Sequence, residues 1–130
     1  MYQVIEKDWK LFRELLPEWQ EAYMERLIKK YIELLSSDRQ ASDKFWKLDK
    51  RIKQDKRRTG VLARDVKRSN MFQLIIDLIY EEAISKDDLI EFSEYLRDTV
   101  KTRLEIDRRY FKVTSKNTFP KTRRYGIIES

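Results

Sequence analysis

Residues 70–84 constrain this chain more than any other stretch. Met71, Phe72, Leu74, Ile75, Ile76, Leu78, Ile79, Ala83 and Ile84 surround a thin polar stripe made of Gln73, Asp77 and Glu81. A segment with so little polar surface fits a helix covered by neighbours on most sides, and such a helix sits at the centre of a bundle. It is too short and too interrupted to span a bilayer, because Asp77 divides its apolar clusters. The remaining chain therefore has to supply its cover.

The cover is legible upstream. Trp9, Phe12, Leu15 and Leu16 recur at helical spacing and predict a first helix over Glu6 to Leu16. Pro17 suits the first turn of a second helix, where its missing N–H costs nothing. That helix is expected to reach Leu35. Trp19, Tyr23, Leu27 and Tyr31 form one row on it, and Met24, Ile28, Ile32 and Leu35 the next. Glu21, Glu25, Lys29 and Glu33 line the opposite face, with Glu25 and Lys29 in the favourable i,i+4 order. Ser36 to Gln40 reads as a turn. Ser42 is a suitable N-cap for a third helix that carries Phe45, Trp46, Leu48 and Ile52. The apolar rhythm then stops over residues 53–58, Gly60 marks a break, and Val61 to Val66 could add one short turn.

Downstream, Ser85 and Asp88 have the spacing of a capping box. They predict a last helix from about Lys86 to Ile106 with Leu89, Phe92, Leu96 and Val100 as its seam. The pair 70–84 and 86–106 is expected to form an antiparallel αα-hairpin. With two Gly and two Pro in 130 residues, few positions can break a helix. The expectation is one all-α domain, a bundle of four to five helices closed by a C-terminal αα-hairpin, over residues 1–108. Residues 109–130 then form a short non-helical extension. Arg108 to Val113 and Arg123 to Ile128 are similar β-compatible strings, separated by the polar stretch Thr114 to Thr122. The extension could fold back over the bundle or order on a partner.

Several chemistries are excluded by composition. The chain has no His and no Cys, which removes imidazole bases, Cys and Ser-His nucleophile pairs, disulfides and zinc sites of the usual kind. Two glycines cannot build a phosphate-cradling loop. Carboxylates remain: Asp77 with Glu81, and Glu82, Asp87 and Asp88 near the expected turn. Oxygen ligands of this kind can hold magnesium. They serve equally as the solvent stripe of a central helix and as favourable charges at a helix start. The expectation is no enzyme, no cofactor and no metal.

Charge placement says more than the net +6. Residues 44–68 carry eleven Lys or Arg against three acids, residues 69–96 one base against seven acids, and residues 97–124 ten bases against three acids. Such alternation suits an anionic partner or internal pairing of blocks. The candidate contacts are Lys50, Arg51, Lys53, Lys56, Arg57, Arg58, Arg64, Lys67 and Arg68, with Arg108, Arg109, Arg123 and Arg124 in the second basic block. A solvated basic face explains the same residues. Tyr110, Phe111 and Tyr125 are candidates for apolar docking of a partner. Trp9, Phe12, Trp19, Tyr23, Tyr31, Phe45 and Trp46 could stack bases, but their helical spacing places them in the core. Met1 to Asp8 has neither a basic region nor an apolar run, so a cytoplasmic setting is expected.

Two resemblances add context. Lys7-Asp8-Trp9-Lys10-Leu11-Phe12-Arg13, Trp19-Gln20-Glu21-Ala22-Tyr23-Met24 and Lys44-Phe45-Trp46-Lys47-Leu48-Asp49-Lys50-Arg51-Ile52 are similar to small uncharacterised helical proteins of bacterial integrative and transposon-like mobile elements. That likeness covers residues 7–100 and implies a bacterial, mobile-DNA setting but no mechanism. Residues 71–100, with Ile84-Ser85-Lys86-Asp87-Asp88-Leu89-Ile90-Glu91-Phe92, loosely resemble short helical-hairpin interaction modules; Glu82-Ala83 stands where that pattern has Gly. The combined expectation is a non-catalytic accessory or regulatory protein that binds a protein or a protein–nucleic-acid complex through basic surfaces. The alternative is direct, weakly sequence-selective binding of DNA, or of RNA. No membrane partner is expected, and a homo-oligomer is compatible with the sequence.

Overall fold

A computed structural model describes residues 3–114, with side chains through Phe111. Among the described residues there are four α-helices and no strand: α1 (Glu6–Leu35), α2 (Ala41–Asp55), α3 (Met71–Tyr80) and α4 (Glu94–Thr114). Single 3-10 turns, Arg68–Asn70 and Lys86–Leu89, precede α3 and α4. The all-α bundle expected from periodicity is therefore present. Among the described residues no helix is long and apolar enough to cross a membrane.

The first departure is that α1 is a single helix running through Pro17. Proline in a helix interior removes one hydrogen bond and crowds the preceding turn, at about 3 kcal/mol. What outweighs this is a seam that stays in phase across it. Trp9, Phe12 and Leu16 before Pro17 and Tyr23 and Leu27 after it all enter one core, while Pro17 itself faces solvent. Breaking the helix would rotate one half of that seam out of the core.

Helix α3 occupies the centre, as its composition predicts; Met71, Ile75 and Leu78 are fully enclosed at 0% exposure. It ends at Tyr80, four residues before the apolar pattern does. Glu82 adopts φ 63°, and the amides of Glu82 and Ala83 donate to the carbonyls of Ile79 and Leu78, both at 2.9 Å. That pair of bonds is a Schellman C-cap with Glu at the left-handed position that Gly normally fills. The guanidinium of Arg26 donates to the carbonyls of Glu82 (3.0 Å) and Ala83 (3.1 Å) and holds the turn against α1.

The capping box of Ser85 and Asp88 exists, but it caps only the 3-10 turn. The cap of α4 is Ser93, whose Oγ accepts from the Leu96 amide at 3.1 Å. The C-terminal helix pair forms, and its members run in the same direction rather than antiparallel. Phe72 meets Tyr95 ring to ring at the start, and the Tyr80 hydroxyl donates to Asp107 at 2.6 Å at the far end. Residues 81–93 carry the chain back between them. Helix α4 also runs past Ile106 to Thr114, so Arg108, Arg109, Tyr110 and Phe111 are helical rather than part of a non-helical extension. No glycine or proline interrupts that stretch, and helix continuation costs it nothing. Arg123, Arg124 and Tyr125 lie outside the described residues.

Asp8 ties α1 to α4. It is 2% exposed, and its carboxylate accepts from the Ser93 amide at 2.9 Å and the Ser93 hydroxyl at 2.6 Å. A buried carboxylate is tolerated only when hydrogen-bonded in this way.

Candidate interaction surfaces

The core uses only part of α1. A helix of this length spans about 45 Å at 1.5 Å per residue, and its last core residue is Leu27. The rest of α1 pairs with α2 to form a two-helix arm. Helix α2 contributes no buried residue at all. It is attached along one edge, and a polar network forms at its C-terminal end. The Tyr31 hydroxyl donates a short hydrogen bond to the Asp55 carboxylate, and Arg58 pairs with Asp55 at 3.2 Å and donates to the Tyr23 hydroxyl at 3.0 Å. Burial, then the hydrogen bond to Asp55, pushes the Tyr31 phenol well above its usual range. Gly60 lies against the Tyr23 ring so closely that an added Cβ would sit 2.4 Å from it. Glu81 completes the network by accepting from the amides of Thr59 (2.9 Å) and Gly60 (3.0 Å). Burial raises the Glu81 carboxyl above its normal value, and those two amides pull against the shift.

These residues border a groove of about 660 Å³ between α1, α2 and the turn after α3. Its walls hold Arg26, Lys30, Arg51 and Arg58 against Glu33, Asp55, Glu81 and Glu82. The charges balance in number. Arg26, Arg58, Asp55 and Glu81 are already committed to protein partners. The groove thus looks like the joint of the arm and offers no excess charge to a ligand.

The two remaining sides of the arm differ from each other. One stripe round from the buried row of Leu27 and Leu34, α1 presents Ile28, Ile32 and Leu35 at 52%, 55% and 45% exposure. The matching side of α2 presents Phe45 and Ile52. The outward side of α2 carries Trp46, Lys47, Lys50 and Lys53, with Arg57 in the turn just beyond it, all exposed. Phe45 and Trp46, expected in the core from their spacing, are thus 63% and 64% exposed and stack edge to face on one another. The amphipathic pattern is present, but among the described residues no third element covers it.

The basic residues singled out in the sequence do not form one site. Lys50, Arg51, Lys56 and Arg57 are exposed on or just beyond α2, and Lys53 is exposed with Asp49 beside it at 3.0 Å. Arg58 is a structural ion-pair partner. Arg68 sits at the other end of the molecule, bidentate on Glu6 with a shortest distance of 2.7 Å and over the Trp9 ring, while Arg64 and Lys67 are exposed in the preceding loop. Arg108 and Arg109 are exposed on the last turns of α4, next to Tyr110 and Phe111, whose rings lie 6.2 Å apart. The carboxylates considered as magnesium ligands are also dispersed. Asp77 receives Gln73, Glu81 caps two amides and Asp88 caps Ser85. Among the described residues no group of three acids is placed to hold a metal ion.

Comparison of the chain with protein families, with curated proteins and with solved structures gave no match.

Proposed function

We propose that this chain is a binding module without chemistry of its own, an accessory or regulatory protein that engages a protein–nucleic-acid complex through the outward face of α2. The observation that carries the reading is that face itself. Lys47, Lys50 and Lys53 recur at three-residue spacing on a helix that buries nothing, and Arg57 follows in the turn beyond it. Cations arranged along one helix face can follow a phosphate backbone, and the contact carries no sequence information. The mobile-element setting rests on the resemblance of residues 7–100 and on nothing else.

Direct binding of nucleic acid by the isolated chain is the second reading, and Trp46 favours it. An indole 64% exposed beside a row of cations is suited to base stacking. Fluorescence anisotropy with labelled duplex and single-stranded DNA, titrated over a range of salt, tests both. A chain carrying Lys47→Gln, Lys50→Gln, Lys53→Gln and Arg57→Gln together should lose roughly 3–4 units of the log K against log salt slope. Binding by the purified parent at physiological salt selects the direct reading. Binding seen only with native nucleoprotein selects the accessory one. An unchanged slope in the quadruple variant removes α2 from the interface and refutes both.

A further inference from the structure

The apolar side of the arm has a different chemistry from its basic face, and its inference stands apart from the functional reading. We infer that this side is the docking surface for a second copy of the chain, so that two arms close into a four-helix bundle. Ile28, Ile32 and Leu35 on α1 and Phe45 and Ile52 on α2 form one side of the two-helix layer. At the exposures found for them these five side chains present on the order of 500 Å² of apolar surface, toward the upper end of what a monomer usually shows. A standard stable interface takes about 800 Å² from each partner, so the apolar stripe and a charged rim reach the required size.

The rim tells how the copies are arranged. Glu21 and Glu25 border the stripe on α1, and Lys56 borders it at the end of α2, beyond the ion pair of Asp49 with Lys53; Glu21, Glu25 and Lys56 are exposed. A two-fold axis parallel to the helices lays α1 of each copy on α2 of the other. That arrangement brings the acidic border of α1 toward Lys56 of the other copy on both sides, and every helix is antiparallel to its neighbours, as in an up-down four-helix bundle. The alternative axis, across the helices, sets like borders together and is disfavoured. A two-helix layer with one apolar side left uncovered among the described residues is the half-structure that this symmetry completes. The basic outward faces of α2 stay on the outside.

Sedimentation equilibrium of the full chain tests this. The parent should show twice the 16.0 kDa of the monomer at micromolar concentration. Ile28→Glu with Ile52→Glu should sediment as the monomer with an unchanged helical signal, since both positions are exposed in the single chain. A parent that stays monomeric at several hundred micromolar overturns the inference. A charge swap tests the arrangement without touching the stripe. Glu25→Lys and Lys56→Glu should each weaken the dimer several-fold, and the two together in one chain should restore it. A dimer indifferent to both, or a double variant weaker than either single one, overturns the proposed pairing.

Discussion

Replacing Asp8 by alanine should be among the most damaging substitutions in the chain, although nothing about Asp8 in the sequence marks it. The carboxylate is 2% exposed and takes both the amide and the hydroxyl of Ser93, at 2.9 and 2.6 Å. Hydrogen bonds to a charged group contribute roughly 1.5–3 kcal/mol each, and a buried donor left unpaired costs about 1–3 kcal/mol. Removing the carboxylate also removes its own desolvation cost, so the two bonds do not count in full. The net loss should be about 3 kcal/mol, which lowers the melting temperature of a domain this size by roughly 10 °C. Chemical denaturation followed by circular dichroism measures it directly. Ser93 caps α4 as well, so Ser93→Ala alone should cost about 1 kcal/mol more than the Asp8 contact it loses. Because Ser93→Ala keeps its amide, the double variant isolates the hydroxyl contact alone, whose coupling to Asp8 should be about 1 kcal/mol. A loss under about 0.5 kcal/mol for Asp8→Ala would show that α1 and the start of α4 are not joined there, and no coupling in the cycle would remove the hydroxyl contact.

Two further outcomes follow from the turn after α3. Glu82 holds φ 63° at a position suited to glycine, so Glu82→Gly should stabilise the fold by roughly 0.5–1 kcal/mol; a destabilised variant in the same denaturation assay would show that the turn is not left-handed. The Glu81 carboxyl is raised in the folded chain, chiefly by burial. Its contribution is therefore complete below the unfolded glutamate value of 4.5 and declines as pH rises through the higher folded value. Stability measured across mildly acidic pH should fall over that window in the parent, and Glu81→Gln should flatten that part of the profile; an identical profile in both chains would contradict it.

The central helix and the amphipathic seam of α1 were legible because burial follows periodicity, and periodicity is local. The departures arise where a distant residue decides a local choice. Pro17 has the grammar of a helix start, yet Phe12, Leu16 and Tyr23 share one core and hold the helix straight through it. Ser85 and Ser93 compete as caps. The stronger sequence signature belongs to Ser85, but α4 starts at Ser93, where Asp8, 85 positions upstream, fixes the amide and hydroxyl. The direction of the helix pair was lost the same way: a left-handed Glu82 ends α3 early and leaves residues 81–93 to make the return. For the candidate site, sequence found the cations but could not tell Arg58, engaged with Asp55 and Tyr23, from Lys50, which faces solvent. It also read Phe45 and Trp46 as core, because an amphipathic helix looks alike whether its partner lies in the same chain or outside it.

That last ambiguity bears on how the two proposals fit together. The C-terminal end of α2 is held to α1 by polar contacts among Tyr31, Asp55, Arg58 and Tyr23, with Gly60 packed on the Tyr23 ring. Such a joint sets the rotation of α2 about its own axis, because Asp55 and Arg58 must face α1. Once that rotation is set, Ile52 falls on one side and Lys47, Lys50, Lys53 and Arg57 fall outward, away from the apolar stripe. Self-association and contact with phosphate then use separate faces of one helix and do not compete. A dimer so built would present two basic faces on one body, and the second contact would be made at the effective concentration set by the first. Weak phosphate contacts, each lost readily to salt, would become a usable affinity only in the paired state. Variants of the apolar stripe should then weaken nucleic-acid binding without altering a single cation, and variants of the cations should leave the sedimentation mass unchanged.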